Sequence, residues 1–158
     1  MDMANKNRLV VKAPNAINEI QKRLSGYAVS IGIQKDAGRH KESDLTVAAV
    51  YAYNEFGTER IPERPTLRPT FLKERIKYIY YMGQIAKVGM EDKNYDIRQA
   101  MGRLGQLAEG DVKAAIVQLK SPPNAESTIA KKKSSNPLID TNQMLNSVRW
   151  AYVDEGKN

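Results

Sequence analysis

Side chains able to do covalent or metal chemistry are few and scattered in this 158-residue chain, which has no cysteine and a single histidine, His40. The absence of cysteine excludes disulfides, thiolate metal sites and cysteine nucleophiles. A serine–histidine–acid triad would have to recruit His40, which lies in the charged run Lys35 to Ser43 with no nucleophile motif around it. Zinc requires clustered imidazoles or thiolates. Gly105 and Gly110 have the spacing of a phosphate-binding loop, but Asp111 and Val112 stand where a lysine and a hydroxyl are needed. A carboxylate there repels phosphate, so these residues read as glycines of a helix. Glu42 with Asp44, and Glu91 with Asp92 and Asp96, have the oxygen donors for magnesium. All five lie in strongly polar segments and read as solvated surface. No residue is assigned to catalysis, to a cofactor or to a metal, and the chain reads as non-enzymatic.

What remains is binding chemistry. The formal net charge is +7 and the pI about 9.5. That is within the ordinary range for solubility, and it also suits a polyanionic partner. Two segments stand out. From Tyr51 to Pro69 a helical pattern ends in glycine and feeds a proline-rich stretch in which Arg60, Arg64 and Arg68 recur. Extended backbone of this kind is expected to bury little against its own domain, and its prolines lower the entropy lost on docking elsewhere. From Pro122 to Ser147 a double proline, the run Lys131, Lys132 and Lys133, and the turn Pro137 to Leu145 follow one another. Loops of this length usually have a function.

The elements that must position these segments can be read from periodicity. Arg8 to Lys12 is of strand type. Pro14 opens a helix over Asn15 to Ser25, with Ile17, Ile20 and Leu24 on one side and Gly26 as its stop. Tyr27 to Gln34 alternates, with Tyr27, Val29, Ile31 and Ile33 on one face, as a half-buried strand does. Asp44 can cap a helix over Leu45 to Phe56, and Gly57 suits its C-terminal stop. Pro62, Pro65 and Pro69 predict extended or turning backbone. Helical patterns return over Thr70 to Val88 and Tyr95 to Leu119. Gly102, Gly105 and Gly110 cost the latter helix stability, which points to close packing or a bend. Asp140, with Gln143 in the reciprocal position, can cap a short helix. Arg149 to Val153 reads as a last strand with Trp150 and Tyr152 on one face, and Asp154 to Asn158 as a tail. No segment approaches the roughly 18 uninterrupted apolar residues of a membrane span. Met1 to Lys12 lacks the apolar core of a secretory signal.

Both segments resemble a known family. Glu55, Phe56, Gly57, Thr58, Ile61, Pro62, Arg64 and Pro65 match the "EFGT…IP.RP" signature of bacteriophage tail-completion (head–tail joining, or neck) proteins, also described as phage virion morphogenesis proteins. Thr66 stands where phenylalanine is more usual, and Phe71 is the next aromatic residue. The second match runs through Pro122, Pro123, Asn124, Ser127, Thr128, Ile129, Ala130, Lys133, Ser134, Ser135, Pro137, Leu138, Ile139, Asp140, Thr141, Leu145, Asn146, Ser147 and Val148. Asn142 replaces a glycine that commonly follows the Asp–Thr pair, and asparagine tolerates the left-handed backbone better than most residues. A lysine run replaces the usual lysine–glycine pair. The matched regions cover about half the chain, in the family's order.

The resemblance implies an α+β fold in a single domain over residues 1–158. A small antiparallel sheet packed by a helix would occupy residues 8–57 and 138–154. Long helices over 70–120 would form a second lobe, with extended loops over 58–69 and 121–137. It implies a structural role at the virion neck after assembly in the host cytoplasm. The partners would be further copies in a ring, the head-side connector or portal, tail terminator or tail tube proteins, and transiently the phage DNA, with no membrane and no cofactor. Residues Glu55 to Thr58, Ile61, Pro62, Arg64, Pro65 and Arg68 are then candidates for the subunit interface, and Lys131 to Lys133 for the DNA channel. The reversal Arg64→Glu is expected to leave the domain folded and impair assembly. The alternative is a free, sequence-independent DNA-binding protein. A magnesium nuclease built on the scattered carboxylates is a distant third.

Overall fold

Alternating apolar residues make strands where one face is covered, and the two strands here are covered mainly by one helix. The structure is a computed structural model and describes residues 18, 22, 25–41, 43–124, 126, 130, 137–138 and 142–153. Strand β1 (Ala28–Ile33) pairs antiparallel with β2 (Val148–Val153). The register sets Val29 opposite Tyr152, Ile31 opposite Trp150 and Ile33 opposite Val148. Directly opposed residues share a face, so the expected apolar faces of both strands coincide. The fold is α+β, as the resemblance implies: this sheet is combined with α1 (Val47–Phe56), α2 (Leu67–Glu91), α3 (Ile97–Gln118) and the short α4 (Gln143–Ser147).

Helix α3 joins the parts. Its buried stripe Ile97, Ala100, Leu104, Ala108, Val112 and Ile116 follows the three- and four-residue steps seen in the sequence. Val112 and Ile116 meet Tyr51 of α1, Leu138, Met144 and Val148 in one cluster, and Leu104 and Ala108 meet Tyr78 of α2 in another. Phe71 packs against both. Asp111, which spoils the phosphate-loop pattern, ties the helical hairpin: it accepts from Lys77 Nζ at 2.6 Å and from Tyr78 Oη at 2.8 Å.

The helix glycines separate by what lies above them. A Cβ on Gly105 would stand 2.9–3.1 Å from atoms of the Trp150 indole, and one on Gly102 would meet Trp150 and the Tyr152 hydroxyl. Close approach of β2, rather than a bend, explains both. Gly110 faces open space. Gly105→Ala is therefore expected to lose about 1–2 kcal/mol, with overpacking exceeding the gain in helix propensity. Gly110→Ala should gain up to about 1 kcal/mol. Urea denaturation of the two variants checks the contrast, and stabilisation by both would mean that Trp150 does not sit on Gly105.

Glu109 closes the same contact. Its carboxylate accepts the Trp150 backbone N–H at 2.8 Å and pairs with Lys113 Nζ at 2.7 Å. Burial raises its pKa, but the bonds to Lys113 and Trp150 N–H and the charges of Lys113 and Arg149 outweigh it and hold the group below its usual 4.5. A carboxyl lowered by folding stabilises the protein above its unfolded value and loses that contribution as pH falls through its native value. Thermal melts from pH 6 downward should therefore show a steeper acid-side loss for the wild type than for Glu109→Gln. Parallel curves would remove Glu109 from the account.

Several boundaries depart from the sequence reading. Thr66 closes the proline stretch and α2 starts at Leu67, so Pro69 is helical rather than extended. In a first turn the missing proline N–H has no helical partner to lose. Thr46, not Asp44, caps α1, accepting Ala49 N–H at 3.1 Å. Asp44 instead faces Arg39 at 3.7 Å, both exposed. Gln143 does not serve a capping box but bridges to the loop before α1, accepting from Lys41 N–H and donating to the Arg39 carbonyl. Asn142 precedes α4 with φ 57°, the left-handed conformation anticipated for it. The proposed strand Arg8 to Lys12, Asp140 and the tail Asp154 to Asn158 lie outside the described residues; of Asn15 to Ser25, Asn18 and Lys22 are helical and Ser25 turns with Gly26.

Candidate functional site

The two sequence segments meet in one joint, built around an unusual buried carboxylate. Glu55 occupies the last turn of α1 and is only 3% exposed. The first N–H groups of any helix lack partners within it. At α2, Thr66, Leu67 and Arg68 donate theirs to the Glu55 carboxylate at 2.7, 3.0 and 2.9 Å. Pro69 has no N–H, and Thr70 N–H begins the helical ladder on the Thr66 carbonyl. The helix start is thus fully satisfied by one side chain from another helix, with its negative charge at the positive end of the α2 dipole. Arg68 adds a side-chain bond from Nε to Glu55 at 3.2 Å and a second to the Glu55 carbonyl.

The connection between the helices is knotted rather than free. Gly57 leaves α1 at φ 72°, and a Cβ there would stand 2.9 Å from Glu63 Cγ, so both backbone and space call for glycine. Thr58 N–H donates to the Ile61 carbonyl at 2.8 Å, while its hydroxyl accepts from Ile61 N–H at 3.0 Å. Arg64 N–H returns to the Asn54 carbonyl at 2.6 Å. Thr66 is buried, and its hydroxyl shares a 2.8 Å hydrogen bond with Tyr51 Oη. Burial, partly offset by this bond and reinforced by the Glu55 charge, pushes the Tyr51 phenol up to about 12. The buried threonine at this position is therefore a polar partner for Tyr51.

Arg64 carries the link to the second segment. Its Nε donates to the Pro122 carbonyl and its Nη2 to the Pro123 carbonyl, each at 2.9 Å. It is 7% exposed, and burial lowers its pKa below the usual guanidinium range. The Ser121–Pro122 peptide is cis. The expectation that the proline- and arginine-rich stretch buries little against its own domain is thus corrected: Glu55, Arg64 and Thr66 are interior. So is the expectation that Arg64→Glu leaves the domain folded, since the reversed charge would face two carbonyl oxygens.

The remaining candidates divide by exposure. Phe56 is 61% exposed, with the Arg68 guanidinium 4.6 Å from its ring centroid. Thr58 and Pro62 are exposed, Ile61 and Pro65 half-buried. Pro123 is exposed and Pro122 half-buried, whereas Pro137 and Leu138 are buried, and Ser147 donates to the Gln143 carbonyl within α4. Thr128, Ile129, Lys131, Lys132, Lys133, Asp140 and Thr141 lie outside the described residues. His40 is half-buried, its N–H bonded to the Leu45 carbonyl. Asp96 caps α3 through Gln99 N–H and Asp92 accepts from Asn94 N–H, so these carboxylates have local structural partners. Among the described residues no group of three His, Cys, Asp or Glu side chains is placed to hold a metal ion, and no helix is long and apolar enough to cross a membrane. No protein-family model matches the chain, and no curated protein or solved structure is significantly similar to it.

Proposed function

We propose that this chain is a structural virion protein of a tailed bacteriophage. In this reading it completes the tail and joins it to the head connector, as one subunit of a ring around the DNA channel. The observation that carries the reading is the joint itself. The matched residues of the two segments, far apart in sequence, are bonded to one another through Arg64, Pro122 and Pro123. Their interior members hold Phe56 out into solvent with Arg68 against its ring. A rigid, exposed aromatic loses little entropy on docking and is a favoured anchor of protein interfaces. The interface is therefore assigned to Phe56, Thr58, Pro62 and the outer side of Arg68, with Glu55 and Arg64 supporting it from within.

Two results test this. Purified mature virions should contain the protein, with immunogold label at the neck; its absence from particles would sink the reading. Phe56→Ser should leave unfolding free energy within about 0.5 kcal/mol of wild type, yet lower phage yield by about a hundredfold or more through loss of an interface anchor. Unchanged yield would remove Phe56 from the interface. The net charge of +7 sustains a second reading, sequence-independent DNA binding. It requires a salt-sensitive gel shift by the isolated protein, and no retardation at low salt would eliminate it.

A further inference from the structure

Helix α2 carries a second apolar face that the described residues leave uncovered. Its inner side supplies Thr70, Tyr78 and Gly89 as buried residues. On another side Leu72, Ile76, Ile79, Gly83, Ala86 and Met90 follow at alternating steps of four and three residues. Leu72 is 76% exposed, Ile76 75%, Ile79 48% and Met90 49%. A strict four–three alternation is the seam of a helix that packs along another helix, with each apolar residue seated between those of its partner. From Leu72 to Met90 the seam runs for about 27 Å at 1.5 Å per residue. Gly83, at its centre, has nothing above its Cα, which leaves room there for a large partner side chain.

The charges beside the seam select the partner. Lys73 and Arg75 flank it at one end and Lys87 at the other, all exposed. Glu74 lies on the far side of the helix turn and is engaged by Lys77 at 2.9 Å, with Lys73 at 3.7 Å. Arg75 and Lys87 have no carboxylate partner among the described residues. Glu91 stands at the very end of the helix. Antiparallel pairing with a second α2 would bring the Lys73–Arg75 end onto Lys87 of the other copy. Parallel pairing would set Lys73 of one copy near Arg68 of the other. Like charges across a seam reject a partner, and opposite charges recruit it.

We infer that the outer face of α2 is a docking site for an acidic amphipathic helix of another protein, with apolar residues at four–three spacing and Asp or Glu on their flanks. The site is defined by α2 alone and stands apart from the neck assignment. A suitable probe is a synthetic three-heptad peptide with Leu and Ile in the seam and Glu at every flanking position. Its counterpart carries Lys at those positions. Fluorescence anisotropy against the full-length chain should show the Glu peptide binding at least about tenfold more tightly than the Lys peptide, weakening with salt. Ile76→Ser with Ile79→Ser should abolish binding while the thermal melt shifts little, because Ile76 is largely and Ile79 about half exposed. Arg75→Glu with Lys87→Glu should reverse the preference between the two peptides. Equal binding of both peptides, or of neither, overturns the proposal. So does a dimer of the chain alone that the Ile76→Ser, Ile79→Ser variant dissolves, which would make the face a self-interface. Co-sedimentation with phosphatidylglycerol vesicles that the same variant abolishes, without binding of the Glu peptide, overturns it in favour of a membrane surface.

Discussion

Glu55→Ala is expected to lower the unfolding free energy by about 3–5 kcal/mol, the range seen when a buried charge network loses a member. One truncation removes the acceptor of Thr66, Leu67 and Arg68 N–H groups together. Each buried donor left without a partner costs about 1–3 kcal/mol. Water can reach Arg68, whose side chain is 49% exposed, but reaches Thr66 poorly at 2%. The upper part of the range therefore depends on Thr66. Arg68 also loses its nearest carboxylate and retains Glu63 at 3.8 Å. Glu55→Gln keeps the shape and one acceptor oxygen but turns an amide NH2 toward backbone donors, and should fall between alanine and wild type. Urea unfolding measures the totals. Amide hydrogen exchange locates them: Thr66 and Leu67 should be protected in the wild type and exchange early in Glu55→Ala. Unchanged protection at these amides would mean that Glu55 does not cap α2.

Arg64→Glu should be comparably damaging, by about 3–5 kcal/mol. The guanidinium forks onto two carbonyl oxygens, and a carboxylate in the same space offers only acceptors to acceptors. It would be buried and unpaired. Arg64→Lys keeps the charge but loses the planar fork, and about 1–2 kcal/mol is expected from that loss. Arg60, four residues earlier and exposed, is the control: Arg60→Glu should change stability by no more than about 0.5 kcal/mol. Equal behaviour of Arg60→Glu and Arg64→Glu in thermal melts would contradict the Arg64–Pro122–Pro123 bonds. An assembly defect in Arg64→Glu would follow from misfolding, which is why Phe56→Ser is the cleaner probe of the proposed interface.

The contrast between Arg60 and Arg64 shows where sequence reading stops. Periodicity locates α1, α2 and α3, and alternation marks the apolar faces of two strands, at Val29, Ile31 and Ile33 and at Trp150 and Tyr152, which the register then brings together. These signals repeat along the chain and survive without knowledge of the fold. Burial of one charged residue does not repeat. Arg60, Arg64 and Arg68 look alike in sequence, yet one is exposed, one is interior and one clamps an aromatic ring. Glu55 is similar: only the approach of α2 turns a helix-end glutamate into a cap. Pro69 was a usable signal, because proline suits a first helical turn as well as a loop. Thr66 beside Tyr51 had no local signal at all, since the pairing spans a turn whose path is set by Gly57 and Thr58.

The proposed role in joining head to tail is best tested by electron microscopy of a lysate from phage carrying a nonsense mutation in this gene. Filled heads separate from unattached tails, or tails of aberrant length, are expected, with joined particles restored by the wild-type protein supplied in trans. Normal joined virions in the mutant lysate would contradict it and leave the DNA-binding reading to be tested in its place.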